Sequence, residues 1–366
     1  MQHRSRLAHP VAKQSNSFWN NQESLTMSKK YNVAVVGATG AVGEVMLSIL
    51  DQRKFPAAKV HAVASSRSAG GKVRYGALEL VVEDLQDFDF KGIDIGLFSP
   101  GASISKIYAP KAAAAGCVVI DNTSQFRYDD DIPLVVPEVN PQDIALYKNR
   151  GIIANPNCST IQMVVALKPI HDAVGVERIN VCTYQAVSGT GKEAIEELQQ
   201  QVACIQAGQP VPRSVYPKQI AYNVLPQIDV FMENGYTKEE MKMVWETRKI
   251  MGDQSIQVNP TTVRVPVFYG HSEAVHIETR KKISVEKVRD LLGATPGVVV
   301  LDRREDGGYP TPLTDADGQD PVFVGRIRED ISHPRGINLW VVSDNVRKGA
   351  ALNSVQIAEI LVKDYL

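Results

Sequence analysis

The chain has 366 residues, 44% hydrophobic and 22% charged, which suits a globular protein of two or three domains with a sizeable core. With 40 Lys and Arg against 41 Asp and Glu, the formal net charge is −1, and nothing points to nucleic acid or a membrane surface as a partner. No apolar run reaches the length of about 18 residues that a transmembrane helix needs. The four cysteines include no C-x-x-C pair, so neither a disulfide framework nor a zinc site is expected, and a reducing, cytoplasmic compartment is.

Residues 1–26 are polar, rich in Asn, Gln and Ser, and have no apolar core. They read as a disordered extension and not as a secretory signal, with a transit peptide as the alternative because acids are few. Met27 directly precedes the first patterned segment. Tyr31 to Val36 is a short β-branched apolar run ending at a glycine, the pattern of a buried parallel strand. Gly37, Gly40 and Gly43 follow in a G-x-x-G-x-x-G loop with Thr39, Ala41 and Val42 between them, and a helical pattern comes next. A glycine loop between strand and helix lets a pyrophosphate approach the helix N-terminus, so dinucleotide binding is expected here.

Further strands are expected at Val60–Ser65, Ile93–Ser99, Cys117–Asp121 and Ile152–Ala154, with helical stretches such as ISKIYAPKAAAA between them. That alternation implies a Rossmann-like, doubly wound parallel sheet. The second strand ends in Ser65, Ser66 and Arg67 with no acid for a ribose 2′-hydroxyl. A guanidinium and two hydroxyls suit a 2′-phosphate, which favours NADP over NAD; the bland alternative is a solvated arginine. After about Pro156 the pattern changes to longer alternating strands (RINVCTYQAV, TTVRVPVF, AVHIETRK, INLWVVSD), as in an α+β domain, and the chain ends in a helical pattern.

Asn155-Pro156-Asn157-Cys158 stands between a strand and a helix. A cysteine at a helix N-terminus has its pKa lowered by the helix dipole, and the thiolate is the nucleophile, so Cys158 is the candidate for covalent chemistry. Asn157 can cap that helix or donate to an oxyanion. Cys117, Cys182 and Cys204 lie in apolar patterns and read as buried hydrophobes. For the base, His271 and His276 lie five apart in one strand and so on opposite faces. His271 follows Gly270 at the strand entrance and is preferred.

With the GATGAVG loop, the NPNCST thiol and the RVPVFYGHS segment in that order, the chain resembles the aspartate-semialdehyde dehydrogenases from about Lys30 to its C-terminus. The resemblance implies interconversion of L-aspartate 4-semialdehyde and L-4-aspartyl phosphate with NADP and inorganic phosphate, through a thioester on Cys158, in lysine, methionine and threonine synthesis. It implies His271 as acid–base, Gln185 as substrate-orienting, and Arg264 as the carboxylate ligand. An E-x-x-K pair, matched to Glu246 and Lys249, would serve the substrate amine and phosphate, with Arg127 and Asn157 also at the phosphate. The coenzyme side is matched to the glycine loop, to Ser65 through Arg67, and to Ser99, Ser188, Gly189 and Asn345. Residues 27–156 with 345–366 would form the NADP-binding domain and 157–344 the catalytic and dimerisation domain, assembling as a homodimer or tetramer. The nearest rival is an N-acyl-glutamyl-phosphate reductase; a cofactor-free Cys/His acyltransferase or hydrolase and a noncatalytic NADP-sensing regulator are the rivals from other classes.

Overall fold

The computed structural model describes residues 29–366. The expected disordered extension over residues 1–26 lies outside them. The first half runs β1 (Tyr31–Val36), α1 (Ala41–Gln52), β2 (Ala57–Ala64), β3 (Lys72–Tyr75), β4 (Leu78–Asp84), β5 (Ile95–Phe98), α2 (Ala102–Ala114), β6 (Val118–Asp121) and β7 (Ile152–Ala154). These strands form one seven-stranded sheet in the order β3-β4-β2-β1-β5-β6-β7. All neighbours are parallel except β3 and β4. The order reverses at β1, which leaves the Gly37 loop at a switch point on the carboxyl edge, where α/β sheets take ligands.

The β3–β4 hairpin is an element that sequence patterning did not anticipate. Its residues alternate burial weakly, and Lys72, Arg74, Glu79 and Glu83 give it the polar look of a loop. Charges of this kind blunt an edge strand against further pairing.

The second half begins with α3 (Cys158–Val174) and continues with β8 (Val176–Gln185), α4 (Lys192–Gln206), α5 (Lys238–Met251), β9 (Gln257–Arg264), β10 (His271–Thr279), α6 (Val285–Gly293), β11 (Val298–Val300), β12 (Val322–Glu329), β13 (Gly336–Ser343) and α7 (Leu352–Asp364). Its six-stranded mixed sheet has the order β11-β12-β13-β10-β8-β9. One face packs on α3, α5 and α6. The opposite face carries Tyr184 and Trp340, their rings 5.5 Å apart, and Cys182. Cys182 is therefore exposed and not the buried hydrophobe expected, because strand alternation sends Val181 and Thr183 inward and Cys182 out.

Helix α3 joins the halves. Ile161, Val165 and Leu167 lie in one apolar cluster with Val36, Phe98 and Ala154 of the first sheet and Ile179, Ile277 and Val341 of the second. A second cluster covers the other face of the first sheet, where Met46 and Leu50 of α1 meet Leu352, Val355 and Leu361 of α7. The C-terminus thus returns to the first half. The stretch expected as one terminal helix opens instead with a π-turn, Arg347–Ala351, before α7.

Candidate active site

The dinucleotide loop is built by contact. Gly37 has φ +87°, and a Cβ there would lie 2.7 Å from the Ser99 carbonyl oxygen; a Cβ on Gly43 would collide with the Gly37 carbonyl. Only glycine allows this turn and this close approach of α1 to β1. Gly40 caps α1 without a side-chain bond, so the first-turn amides, from Ala41 on, are left for an anion. Ser65, Ser66 and Arg67 lie exposed at the end of β2, and Thr39 Oγ1 reaches Ser68 Oγ at 3.4 Å. These residues fit the pyrophosphate and ribose end of a dinucleotide.

A cavity of about 430 Å³ opens between the halves. It is lined by Val42 and Ser99 from the first sheet's edge and by Asn157, Cys158, Gln185, Ser188, Gly189, Arg264 and Asn345 from the second half, with Arg127 from the loop after β6. Cys158 is the first residue of α3. Asn157 caps the helix by accepting from the amides of Ser159 (3.1 Å) and Thr160 (3.3 Å). Its Nδ2 donates to Glu239 Oε1 at 2.9 Å and its backbone N–H to Glu246 Oε2 at 2.6 Å. Gln185 Nε2 donates to the same Glu239 oxygen at 3.1 Å. Asn157, the residue before Cys158, is thus held between two carboxylates of α5.

His271 is fully buried, with Nδ1 accepting the Ala186 N–H at 3.0 Å and Nε2 without a hydrogen-bond partner among the described residues. A Cβ placed on Gly189 would stand 3.0 Å from Arg264 Nη1 and 3.4 Å from His271 Nε2, so imidazole and guanidinium converge on that glycine. Arg264 donates from Nη1 to the Ala186 carbonyl at 2.7 Å, which locks its plane. Asn345 joins the loops, accepting from the Gly270 N–H at 2.9 Å and pairing with Ser188 Oγ. His276 lies on the opposite face of β10, against Asp330 at 2.6 Å and Asn180, away from the cavity.

Burial first, and then the charge of Arg264, push the His271 imidazole down to about 3, so the ring is neutral near pH 7. Burial and then Glu239 push the Cys158 thiol up to about 12, against the pull of Arg264, Arg127 and the Ser159 amide. Desolvation of the thiolate and a neighbouring carboxylate thus work against the lowering expected from the helix terminus. Glu239 itself is ionised. Burial opposes this, but Lys242, Asn157 and Gln185 hold it down to about 2.

The E-x-x-K match needs correction. Lys249 turns away from the cavity and donates to three backbone carbonyls, of Arg127, Asp129 and Ile132, at 2.7–3.0 Å. Glu246 is sealed behind Arg127, accepting from its Nη1 at 3.1 Å and from Tyr128. The Glu–Lys pair that lines the cavity is Glu239 and Lys242, one heptad earlier on α5, joined at 2.9 Å.

Fold and site together define a class, an oxidoreductase with one dinucleotide-binding half and one half that carries a thiol and an imidazole. Residues 32–147 match the model of the semialdehyde dehydrogenase NAD binding domain, and residues 167–348 that of the semialdehyde dehydrogenase dimerisation domain. The aspartate-semialdehyde dehydrogenase of Shewanella violacea is 63% identical over 93% of this chain and all of its own length. That of Legionella pneumophila is 62% identical over 93% of this chain and 98% of its own. The structure of aspartate semialdehyde dehydrogenase II from Vibrio cholerae, complexed with ASA, superposes with a TM-score of 0.91 at 60% identity, over 93% of this chain and all of that one. The Candida albicans enzyme, crystallised with NADP, superposes at 0.71 and 28% identity, over 91% and 99%. The chain belongs to the aspartate-semialdehyde dehydrogenase family.

Proposed function

We propose that this chain interconverts L-aspartate 4-semialdehyde and L-4-aspartyl phosphate with NADP and inorganic phosphate, as a homodimer, in lysine, methionine and threonine synthesis. The observation that carries the reading is a cavity beside the dinucleotide loop lined by Cys158, Arg264 and Gly189, with His271 Nε2 directly behind that glycine. Its four free thiols suit a reducing, cytoplasmic compartment. Of the described residues, 29–156 with 345–366 form the NADP-binding domain and 157–344 the catalytic and dimerisation domain.

Arg264 takes the substrate α-carboxylate on its free edge, since a planar fork matches a carboxylate. Glu239, ionised and facing the cavity, takes the α-ammonium. Arg127 and Lys242 form the cationic wall for phosphate, replacing Lys249 in that role. Cys158 Sγ bonds to the aldehyde carbon as the C=O π bond opens and the thiol proton passes to that oxygen, and the resulting hydroxyl gives its proton to His271 Nε2 as hydride leaves the same carbon. For that step Nε2 must be free of its proton, so the ring gives up the bond that Nδ1 accepts from the Ala186 N–H and carries its proton on Nδ1. The coenzyme, when bound, supplies the hydride acceptor. A thioester on Cys158 remains, and phosphate oxygen displaces the sulfur to give the acyl phosphate.

The test is NADPH formation from aspartate semialdehyde with and without phosphate. Cys158→Ser is expected to lose turnover while binding NADP nearly as before. Turnover retained in that variant would overturn the covalent reading.

A further inference from the structure

One buried cation has no part in the chemistry above. Lys348, in the π-turn Arg347–Ala351, is 2% exposed. Its ammonium meets Glu138 Oε2 at 2.6 Å, Gln356 Oε1 at 2.7 Å and Asn353 Oδ1 at 2.8 Å, three acceptors for three N–H donors. From there a run of amides leads to the nucleophile. Asn353 Nδ2 donates to Asn155 Oδ1 at 2.7 Å, and Asn155 Nδ2 to Asn122 Oδ1 at 2.9 Å. The Asn122 carbonyl accepts from Arg127 Nη2 at 2.7 Å. Asn155 stands three residues before Cys158. The next residue along the π-turn backs directly on the thiol, for a Cβ on Gly349 would lie 2.8 Å from Cys158 Cβ.

We propose that Lys348 is a positioning residue for Cys158, fixing through the π-turn and the Asn353–Asn155–Asn122 ladder where the thiol and Arg127 stand. The inference rests on the reading of Cys158 as the nucleophile. A buried ion pair such as Lys348 with Glu138 rarely adds stability over apolar residues of the same volume. Its distinctive effect is geometric: each amide of the ladder has one orientation once Lys348 sets the first oxygen. Misplacement of a reacting group by about 1 Å can reduce a rate by about 100-fold. π-turns inside helical segments recur at functional sites for the same reason, since they re-aim a few residues.

The experiment compares wild type with three variants: Cys158→Ser, Lys348→Met combined with Glu138→Met, and Asn353→Ala. Readouts are melting temperature, kcat and KM for aspartate semialdehyde, NADP affinity, and the rate of Cys158 alkylation by iodoacetamide. The double methionine variant removes both charges together and is expected to fold. Its kcat should fall roughly 10- to 100-fold with KM and NADP affinity within about threefold, and its alkylation rate should change. Asn353→Ala keeps the ion pair but cuts the ladder, and should show the same split; it carries the test if the double variant does not fold. Wild-type kcat and alkylation in a folded variant, with Cys158→Ser inactive, would overturn the proposal. An active Cys158→Ser would instead overturn the nucleophile assignment beneath it.

Discussion

Glu239 adds to what burial does to the Cys158 thiol. Its carboxylate accepts from Asn157, Gln185 and Lys242, so it orders the groups around Cys158 while its charge opposes thiolate formation. A substrate ammonium against Glu239 would cancel that opposition at the moment the aldehyde arrives, and the thiol would be activated by its own substrate. Glu239→Gln keeps the shape and removes the charge. The Cys158 thiol should then titrate below its present value of about 12. Each pKa unit is a tenfold change in thiolate at fixed pH, so alkylation of Cys158 at pH 8 should accelerate by up to about tenfold per unit, while turnover falls through loss of the ammonium site. A slower or unchanged alkylation rate would show that burial alone sets the thiol.

Two elements carry the site, and they were not equally legible. The start of α3 could be read directly: Asn155-Pro156-Asn157-Cys158 has the composition of a strand end and a helix cap, and the structure caps α3 with Asn157. Helix α5 could not. It carries Glu–Lys pairs at three-residue spacing twice, at Glu239/Lys242 and Glu246/Lys249, one heptad apart. Residues a heptad apart share nearly the same helix stripe, so periodicity cannot choose between them; only the packing of α5 against Asn157 and Gln185 does. The π-turn before α7 was equally hidden, because a one-residue insertion in a helix leaves composition unchanged. Strand β10 holds a further surprise on the face it shares with His271. Glu273 is fully buried, and among the described residues neither carboxylate oxygen has a well-formed hydrogen bond, Gln162 being its polar neighbour. Burial raises its pKa well above 4.5, opposed only by Gln162. A group protonated in the folded chain and ionised in the unfolded one contributes stability below the unfolded pKa and loses it as pH rises toward the folded pKa. Glu273→Gln should therefore match wild type near pH 4 and become progressively more stable than it as pH increases. Denaturant unfolding at several pH values measures this, and a pH-independent difference between the two would show that Glu273 is ionised in the fold.

At the scale of the whole molecule, the residues proposed for the coenzyme come from both halves. Gly37 to Gly43 and Ser65 to Arg67 stand on the first sheet's edge, and Ser188, Gly189 and Asn345 belong to the loops around the cavity. Lys192, at the start of α4, already bridges them, donating to the Thr39 carbonyl at 2.9 Å and to Glu44 at 2.7 Å. A ligand that spans both halves stabilises the fold by mass action, about 2.7 kcal/mol when its concentration is about 100 times Kd. This provides a test of coenzyme choice that needs no turnover. Arg67 is exposed at the end of β2, where the sequence has hydroxyls in place of an acid, and it is the group expected to meet the 2′-phosphate. A charge-assisted contact of this kind contributes about 1.5–3 kcal/mol, or roughly 10- to 150-fold in affinity. At the same NADP concentration, Arg67→Ala should reduce the stabilisation from about 2.7 to between about 1.4 and 0.3 kcal/mol. NAD, which lacks the phosphate, should stabilise wild type and variant alike. Thermal or denaturant unfolding with each coenzyme makes the comparison. Equal losses for NADP and NAD would place Arg67 outside the phosphate contact, and the preference for NADP would then have to come from Ser65, Ser66 or the first turn of α1.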